Sequence, residues 1–513
     1  MAHHLVPTHL KSVAGKYLTN ELNASNSLST YYSAKNYNCE ELVSETKSYI
    51  LANFTTVAKT EDFLNLPSEE VKLWISSDEI NVNHEEDVFK IILRWINRES
   101  ERKKYFPELF REVRLVYITR DFLHSDIVTN DLVNDYEDCM DRVRDAIKFT
   151  ASKDYNPISV APRKSLETPV LVLCVEGFQG EQKLCYFPRK DTWSRFPGAA
   201  WPTSTGKVIS CGGKMYFISQ RENKMFLYDS FSDCWRSLPY EEQRTLHKLF
   251  VRNEDEVYAL LSENGSCPEC DSLRSLRMSM PCKKTHPSVL TRYNPETNSW
   301  EDISSFDLGL RSGICVVAKD NFIYFLGGAA SVSLHILKCA HRYDSSTNIW
   351  TRIADLEEPR MEPAYGSVAH GKIIIAGGTN ADSMLAESCE MYYEKSDEWH
   401  LIRRPRRAPS LFKPIWVCAD DKLYEINGLG CVRNQEHCII ECYDPERDEW
   451  DEKTRMPIES MLPASERRGY FQIICCCSIR VFKGSKFLQP ASLPCPWQAR
   501  SSERVGKYKC VIV

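Results

Sequence analysis

Apolar residues over the first 150 positions recur at helical steps. Leu42, Val43, Tyr49, Ile50 and Phe54 stand four and seven apart and fall on one stripe, which predicts an amphipathic helix. A second helix is announced by Asn83 with Glu86 three residues on, a spacing that reads as a capping box. Within it Val88, Ile92, Trp95 and Ile96 face one way, and Glu85, Lys90, Arg94 and Arg98 the other. Leu109, Val113 and Leu115 begin a further short apolar series. Gly15 is the only glycine in this span, and Pro67 and Pro107 punctuate it. The pattern predicts a helical bundle over residues 24–150 whose stripes form its core.

From about Pro169 the period shortens. Runs such as Leu171–Val175, Met215–Ile218, Phe322–Leu326 and Lys372–Ala376 are β-rich and bounded by turn residues. A repeat runs through them: tyrosine followed seven residues later by tryptophan, at Tyr186/Trp193, Tyr228/Trp235, Tyr293/Trp300, Tyr343/Trp350, Tyr392/Trp399 and Tyr443/Trp450. Six of the 11 tryptophans keep this register, with Trp-to-Trp steps of 42, 65, 50, 49 and 51. Between the aromatics lie polar turns, as in YNPETNSW (293–300) and YDPERDEW (443–450). Each unit has room for four short strands. Small twisted sheets of this size bury both faces only by packing radially against copies of themselves, with the aromatic pair filling the space between neighbours. The first unit begins in what is a second strand elsewhere, and Tyr470–Ile479 is a strand left over after the last. That segment is therefore expected to complete the first blade and close the ring.

These units resemble kelch repeats. Diglycines of the kelch type stand at Gly327–Gly328 (FIYFLGG) and Gly377–Gly378 (KIIIAGG). The sixth repeat has Asn427–Gly428, the first Glu176–Gly177, and no glycine pair follows Tyr216 or Tyr258. The helical part resembles a BACK domain, above all in residues 62–96 and in FPELFREVRL (106–115). The whole resembles the kelch-like (BTB–BACK–kelch) family over about 450 residues. The resemblance implies an α+β multidomain chain, an all-α BACK-like bundle followed by an all-β six-bladed kelch propeller. Its expected divisions are a remnant of the last BTB helix or a disordered segment at 1–23, the BACK-like domain at 24–150, and a linker at 151–168. The propeller follows at 169–481, closed by the strand at 470–479, and then a C-terminal tail at 482–513. Family members carry a BTB domain that dimerises and docks on a cullin scaffold. Only about 20 residues precede the matching region here, so cullin docking is expected to be weakened, with the helix pair at about 24–54 retained.

The implied function is non-catalytic: a substrate-recognition adaptor like those of cullin-RING ubiquitin ligases, with the BACK helices as a rigid spacer. The alternatives are an actin- or cytoskeleton-binding kelch protein, and a BTB-less substrate binder not coupled to a ligase. In the family, loops at one mouth of the propeller hold substrate peptides, often acidic. Here Arg311, Arg360 and Arg407 lie in blade-to-blade connections and Asn380 follows a diglycine. Guanidinium forks suit carboxylates.

Composition narrows the partners. Lys plus Arg number 65 against 71 for Asp plus Glu, a net charge of −6, which argues against a nucleic-acid or polybasic membrane binder. The 21 cysteines are odd in number and scattered, as for reduced thiols in a cytoplasmic protein. The longest apolar stretch, near Ile473–Ile479, is far short of the roughly 18–20 residues that cross a bilayer. Cys267, Cys270, Cys282 and His286 are zinc-type ligands inside the insertion that stretches one Trp step to 65, and they form a candidate metal site beside the plainer reading of incidental cysteines in a loop. Cys510-Val511-Ile512-Val513 has the C-a-a-X form, with Arg504, Lys507 and Lys509 upstream, which makes Cys510 a candidate for prenylation and a membrane tether. Valine is not a typical final residue there. No P-loop, G-x-S-x-G or H-E-x-x-H motif occurs, and the seven histidines of the second half form no close pair. No cofactor and no enzymatic activity are expected.

Overall fold

The computed structural model describes residues 15–151, 161–177, 180–196, 207–219, 224–240, 244–253, 256–263, 288–295, 297–306, 311–330, 335–362, 365–382, 384, 386, 388–405, 415–426, 429–431, 439–456 and 470–483. Its first half is helical: α1 (Ser27–Asn36), α2 (Glu40–Ala52), α3 (Ser68–Ser76), α4 (Glu86–Ile96) and α5 (Glu137–Ala151), with shorter turns between them. One apolar core joins Leu28, Ile50, Phe54, Phe63, Val71, Ile92, Trp95, Phe106 and Val143. The stripe predicted on α4 is buried as expected, with Val88, Ile92 and Ile96 fully enclosed.

Two expectations about this helix are corrected. Asn83 does not cap it; the Asp87 carboxylate accepts from the backbone N–H of Asn83 (3.2 Å) and His84 (3.1 Å) instead. Glu86 turns inward to accept from Thr119 N–H (2.9 Å) and its hydroxyl (2.8 Å). Glu85, placed on the solvent side by periodicity, is fully buried and paired with Arg163. A carboxylate at a helix start lies outside the regular stripe, and a guanidinium from beyond the helical span reaches in to neutralise it.

The second half is six antiparallel blades of four strands each, the first extended by a fifth short strand, with one further two-stranded pairing between connections. From centre to rim, blade 4 is Cys315–Lys319, Phe322–Leu326, Ala340–Asp344 and Ile349–Ile353; blade 5 is Tyr365–Ala369, Lys372–Ala376, Cys389–Tyr393 and Glu398–Ile402. Blades 2, 3 and 6 begin at Lys207, Arg244 and Ile415 and follow the same order. Blade 1 takes its innermost strand, Tyr470–Phe482, from the far end of the chain; it pairs with Glu167–Gly177, Val172 opposite Cys477. Its other edge holds Leu429–Cys431 of blade 6. The innermost strands neighbour one another in ring order from blade 1 round to blade 6 and back.

Strand alternation explains the apolar runs. In Glu167–Gly177, Leu171, Leu173 and Val175 pack toward blade 6 while Val170 and Val172 pack toward blade 2. The same division recurs at every seam, so both faces of the middle strands are core.

The Tyr/Trp repeat has a third member. Each tyrosine lies directly across its sheet from its tryptophan, ring centroids 4.9–5.6 Å apart. Each tyrosine hydroxyl donates to an Asp or Asn five residues on: Asp191, Asp233, Asn298, Asn348, Asp397 and Asp448. All six adopt φ between 49° and 57°, the left-handed region that Asn and Asp tolerate best among residues with a Cβ. The tryptophans bind backward. Trp399 Nε1 donates to Ala354 O (3.0 Å), just after blade 4, and Trp450 Nε1 to Arg403 O (2.7 Å), just after blade 5.

Asp397 concentrates these roles, accepting from Tyr392 Oη (2.7 Å) and from Ala354 N–H (2.9 Å) across the seam. Asp397→Ala is expected to lower unfolding stability by about 2–3 kcal/mol, from two lost hydrogen bonds and an alanine in a left-handed turn, with Asp397→Asn losing much less. Denaturant titration checks the order. The Ala354 N–H, and after it the Tyr392 hydroxyl, hold this carboxyl below its ordinary value. Its contribution is therefore complete above the usual carboxylate range and lost as pH falls through the lower folded value. Asp397→Asn is expected to flatten that acid limb of the melting-temperature profile.

Candidate protein-binding face

The two ends of the propeller differ. At one end lie the connections between first and second strands, tight pairs such as Asp320–Asn321, His370–Gly371 and Asp420–Asp421. The helical domain sits here: the chain enters blade 1 at Glu167 and leaves it at Phe482, whose ring lies 4.9 Å from Tyr117. Tyr117 also meets Phe231 at 6.4 Å. At the opposite end emerge the longer connections, from second to third strand and from each blade to the next. In an antiparallel blade these two sets share one end by construction.

Arg360 lies in the connection from blade 4 to blade 5, and its side chain is fully buried. Nη1 donates to Gly377 O (3.0 Å) and Ser388 O (2.9 Å), and Nη2 to Ser388 Oγ (2.9 Å) and the Glu390 carboxylate. Glu390 also accepts from the backbone N–H of Glu357 (2.7 Å) and Glu358 (3.2 Å). Burial pushes the Glu390 carboxyl above its usual range, opposed by Arg360 and those two N–H groups. The expectation that Arg360 contacts substrate is thereby corrected: its charge is used inside the fold.

The diglycine serves the same seam. Gly327 and Gly328 have φ of 61° and 91°, and Gly328 N–H donates to Arg360 O (2.9 Å). A Cβ on Gly327 would stand 2.2 Å from that carbonyl oxygen, so the loop seats Arg360 only over a glycine.

Asn380 is half-buried. Its side-chain oxygen accepts from Asp382 N–H (3.1 Å) and Met384 N–H (3.0 Å), and its own N–H donates to Met384 O (2.9 Å). The closed turn presents Met384 at 66% exposure. The Arg311 backbone pairs with Ala330 across two connections of this end; its side chain lies outside the described residues, as do Arg407, Cys267, Cys270, Cys282, His286 and Cys510. The structure thus brings Arg311, Arg360 and Asn380 to one end by their backbones, with Arg360 enclosed and Asn380 partly exposed. Glu390 went unnoticed in the sequence, although a carboxylate two residues before the repeat tyrosine in an apolar strand was the signal.

Among the described residues no group of three or more His, Cys, Asp or Glu is placed to hold a metal ion, and no described helix is long and apolar enough to cross a membrane.

A helical domain leading into a propeller of this repeat defines a class, and comparison with known proteins agrees. Residues 27–127 match the BACK family, described as BTB And C-terminal Kelch. The chain is 24% identical over 479 residues to human (Homo sapiens) Kelch repeat and BTB domain-containing protein 12, covering 87% of this chain and 67% of that one. To Kelch-like protein 25 of Xenopus tropicalis it is 25% identical over 471 residues, 89% and 76% of the two chains. To Kelch-like protein 17 of Mus musculus it is 37% identical over 135 residues, 26% and 21%. Over most of its length the chain is thus similar to kelch-like proteins, and its architecture is a BACK-type helical region followed by a six-bladed propeller of antiparallel sheets. These similarities, with the propeller fold, support a protein-binding kelch adaptor.

Arg360→Met is expected to cost about 3–5 kcal/mol, because it strands the Glu390 carboxylate in the interior, and Arg360→Met with Glu390→Met to recover most of it. A denaturation double-mutant cycle measures both.

Proposed function

We propose that this chain recognises a protein substrate on the long-loop end of its propeller and, together with a BTB domain, presents it to a cullin-RING ubiquitin ligase from the cytoplasm. The observation that carries this reading is the asymmetry of the ends. Among the described residues the BACK domain contacts the end with tight turns and not the loop-bearing end, which supports a scaffold side at one end and a ligand side at the other. Arg311, Asn380 and Arg407 are the proposed contacts from the original set; Arg360 is withdrawn from it. Met384, held out by Asn380, adds an apolar contact of the kind that dominates interfaces when rigidly presented. A zinc ion in the insertion around Cys267 and a prenyl group on Cys510 remain additions to this reading and are not needed by it.

Quantitative affinity purification tests the proposal, using this chain and a version extended by a BTB domain, in the same cells. Recovery of a cullin with the extended form and of shared further partners with both supports it. Recovery of actin filaments in place of a cullin favours the cytoskeletal alternative, and shared partners with no cullin in either case favours an uncoupled substrate binder. Met384→Asp is expected to reduce recovery of the shared partners severalfold while leaving thermal stability within about 0.5 kcal/mol of the parent, since the side chain is exposed.

A further inference from the structure

Residues 161–166 were expected to form part of a linker, yet they are built into the helical domain. Arg163 is fully buried and makes four hydrogen bonds there: Nε and Nη2 to the two Glu85 carboxylate oxygens (2.9 and 3.0 Å), Nη1 to Ser77 O (2.8 Å), and Nη2 to Glu112 O (3.1 Å). Arg114 answers from the helical side, its Nη1 donating to Ala161 O (2.8 Å) and its backbone N–H to Glu85 (3.0 Å). Ser165 accepts from Val82 N–H (3.2 Å) and donates to Ile80 O (3.0 Å). Leu166 lies in the helical core.

The next residue is already propeller. Glu167 opens the second strand of blade 1, and its carboxylate is 3.3 Å from Arg480 on the closing strand. Lys483 N–H donates to Leu166 O (2.8 Å), and its ammonium to Ser165 O. No slack separates the two domains. Relative motion is the default for joined domains unless something fixes them, and a strap anchored by a charged pair can do so, because displacing Arg163 leaves the buried Glu85 carboxylate without its ion-pair partner, held by the Arg114 N–H.

We propose that Arg163 and Glu85 are positioning residues that lock the strap at 161–166 and so set the angle at which the propeller's open end is held relative to the helical domain. This is independent of what that end binds. The competing account is that the Tyr117–Phe482 contact sets the angle alone and the buried pair merely fills the helical core.

The two accounts separate in a distance measurement. Spin labels placed through unnatural amino acids at Tyr37 and Ile349, both more than half exposed, report the separation of α1 from the rim of blade 4 in the full chain. The parent is expected to give a single narrow distribution. Arg163→Met, and the charge-neutral pair Glu85→Met with Arg163→Met, are expected to give roughly doubled widths while circular dichroism and the propeller's own melting stay in place. An unchanged distribution in either variant, with Arg163 gone and both domains folded, overturns the proposal. So does collapse of the helical domain in both variants, since the pair would then support the domain rather than its angle.

Discussion

Everything in the propeller depends on one constraint: its middle strands are apolar on both faces, so no sheet is satisfied until it has a neighbour on each side. Leu173 and Val172 are adjacent in sequence and belong to different seams. The requirement passes from blade to blade and ends only when the last seam meets the first. Closure is therefore the condition under which every other blade is stable, and the grip on Tyr470–Phe482 from two strands follows from it.

The Tyr–Asp/Asn–Trp triad converts that general attraction into a specific geometry. Apolar clusters alone tolerate sliding, because burial is not directional. The tryptophan N–H reaching back to the preceding blade and the left-handed Asp or Asn fix the register of each seam. Buried polar groups play the same part at the open end, where Arg360 and Glu390 tie a crossing loop into the blade it precedes.

The aromatic spacing was legible because it is carried by large residues at fixed offsets. The Asp/Asn at the fifth position was equally periodic, but it hides in turns that are polar throughout and so carry little contrast. The helical stripes were legible for the same reason as the aromatics. What escaped was charge that behaves as core: Glu85, Arg163, Arg360 and Glu390 are all buried, and hydropathy patterning assigns such residues to the surface. Their partners are 78 residues apart in one case and 30 in the other, and no local periodicity couples positions at that distance. The face of the propeller was inferred from connectivity, which sequence order supplies; which of its side chains are exposed is settled by packing between blades, which it does not.

The closing strand also imposes an order in time. Glu167 and Arg480, partners in the finished ring, are 313 residues apart. A ribosome adding roughly 5–20 residues per second needs about 15–60 s to cover that distance. Throughout it the strand carrying Leu171, Val172 and Leu173 has no inner partner, and its hydrogen-bonding edge is open to any extended segment nearby. The nascent chain is thus a short-lived β-template, an exposure created by the same late closure that gives this strand its inner partner in the mature ring.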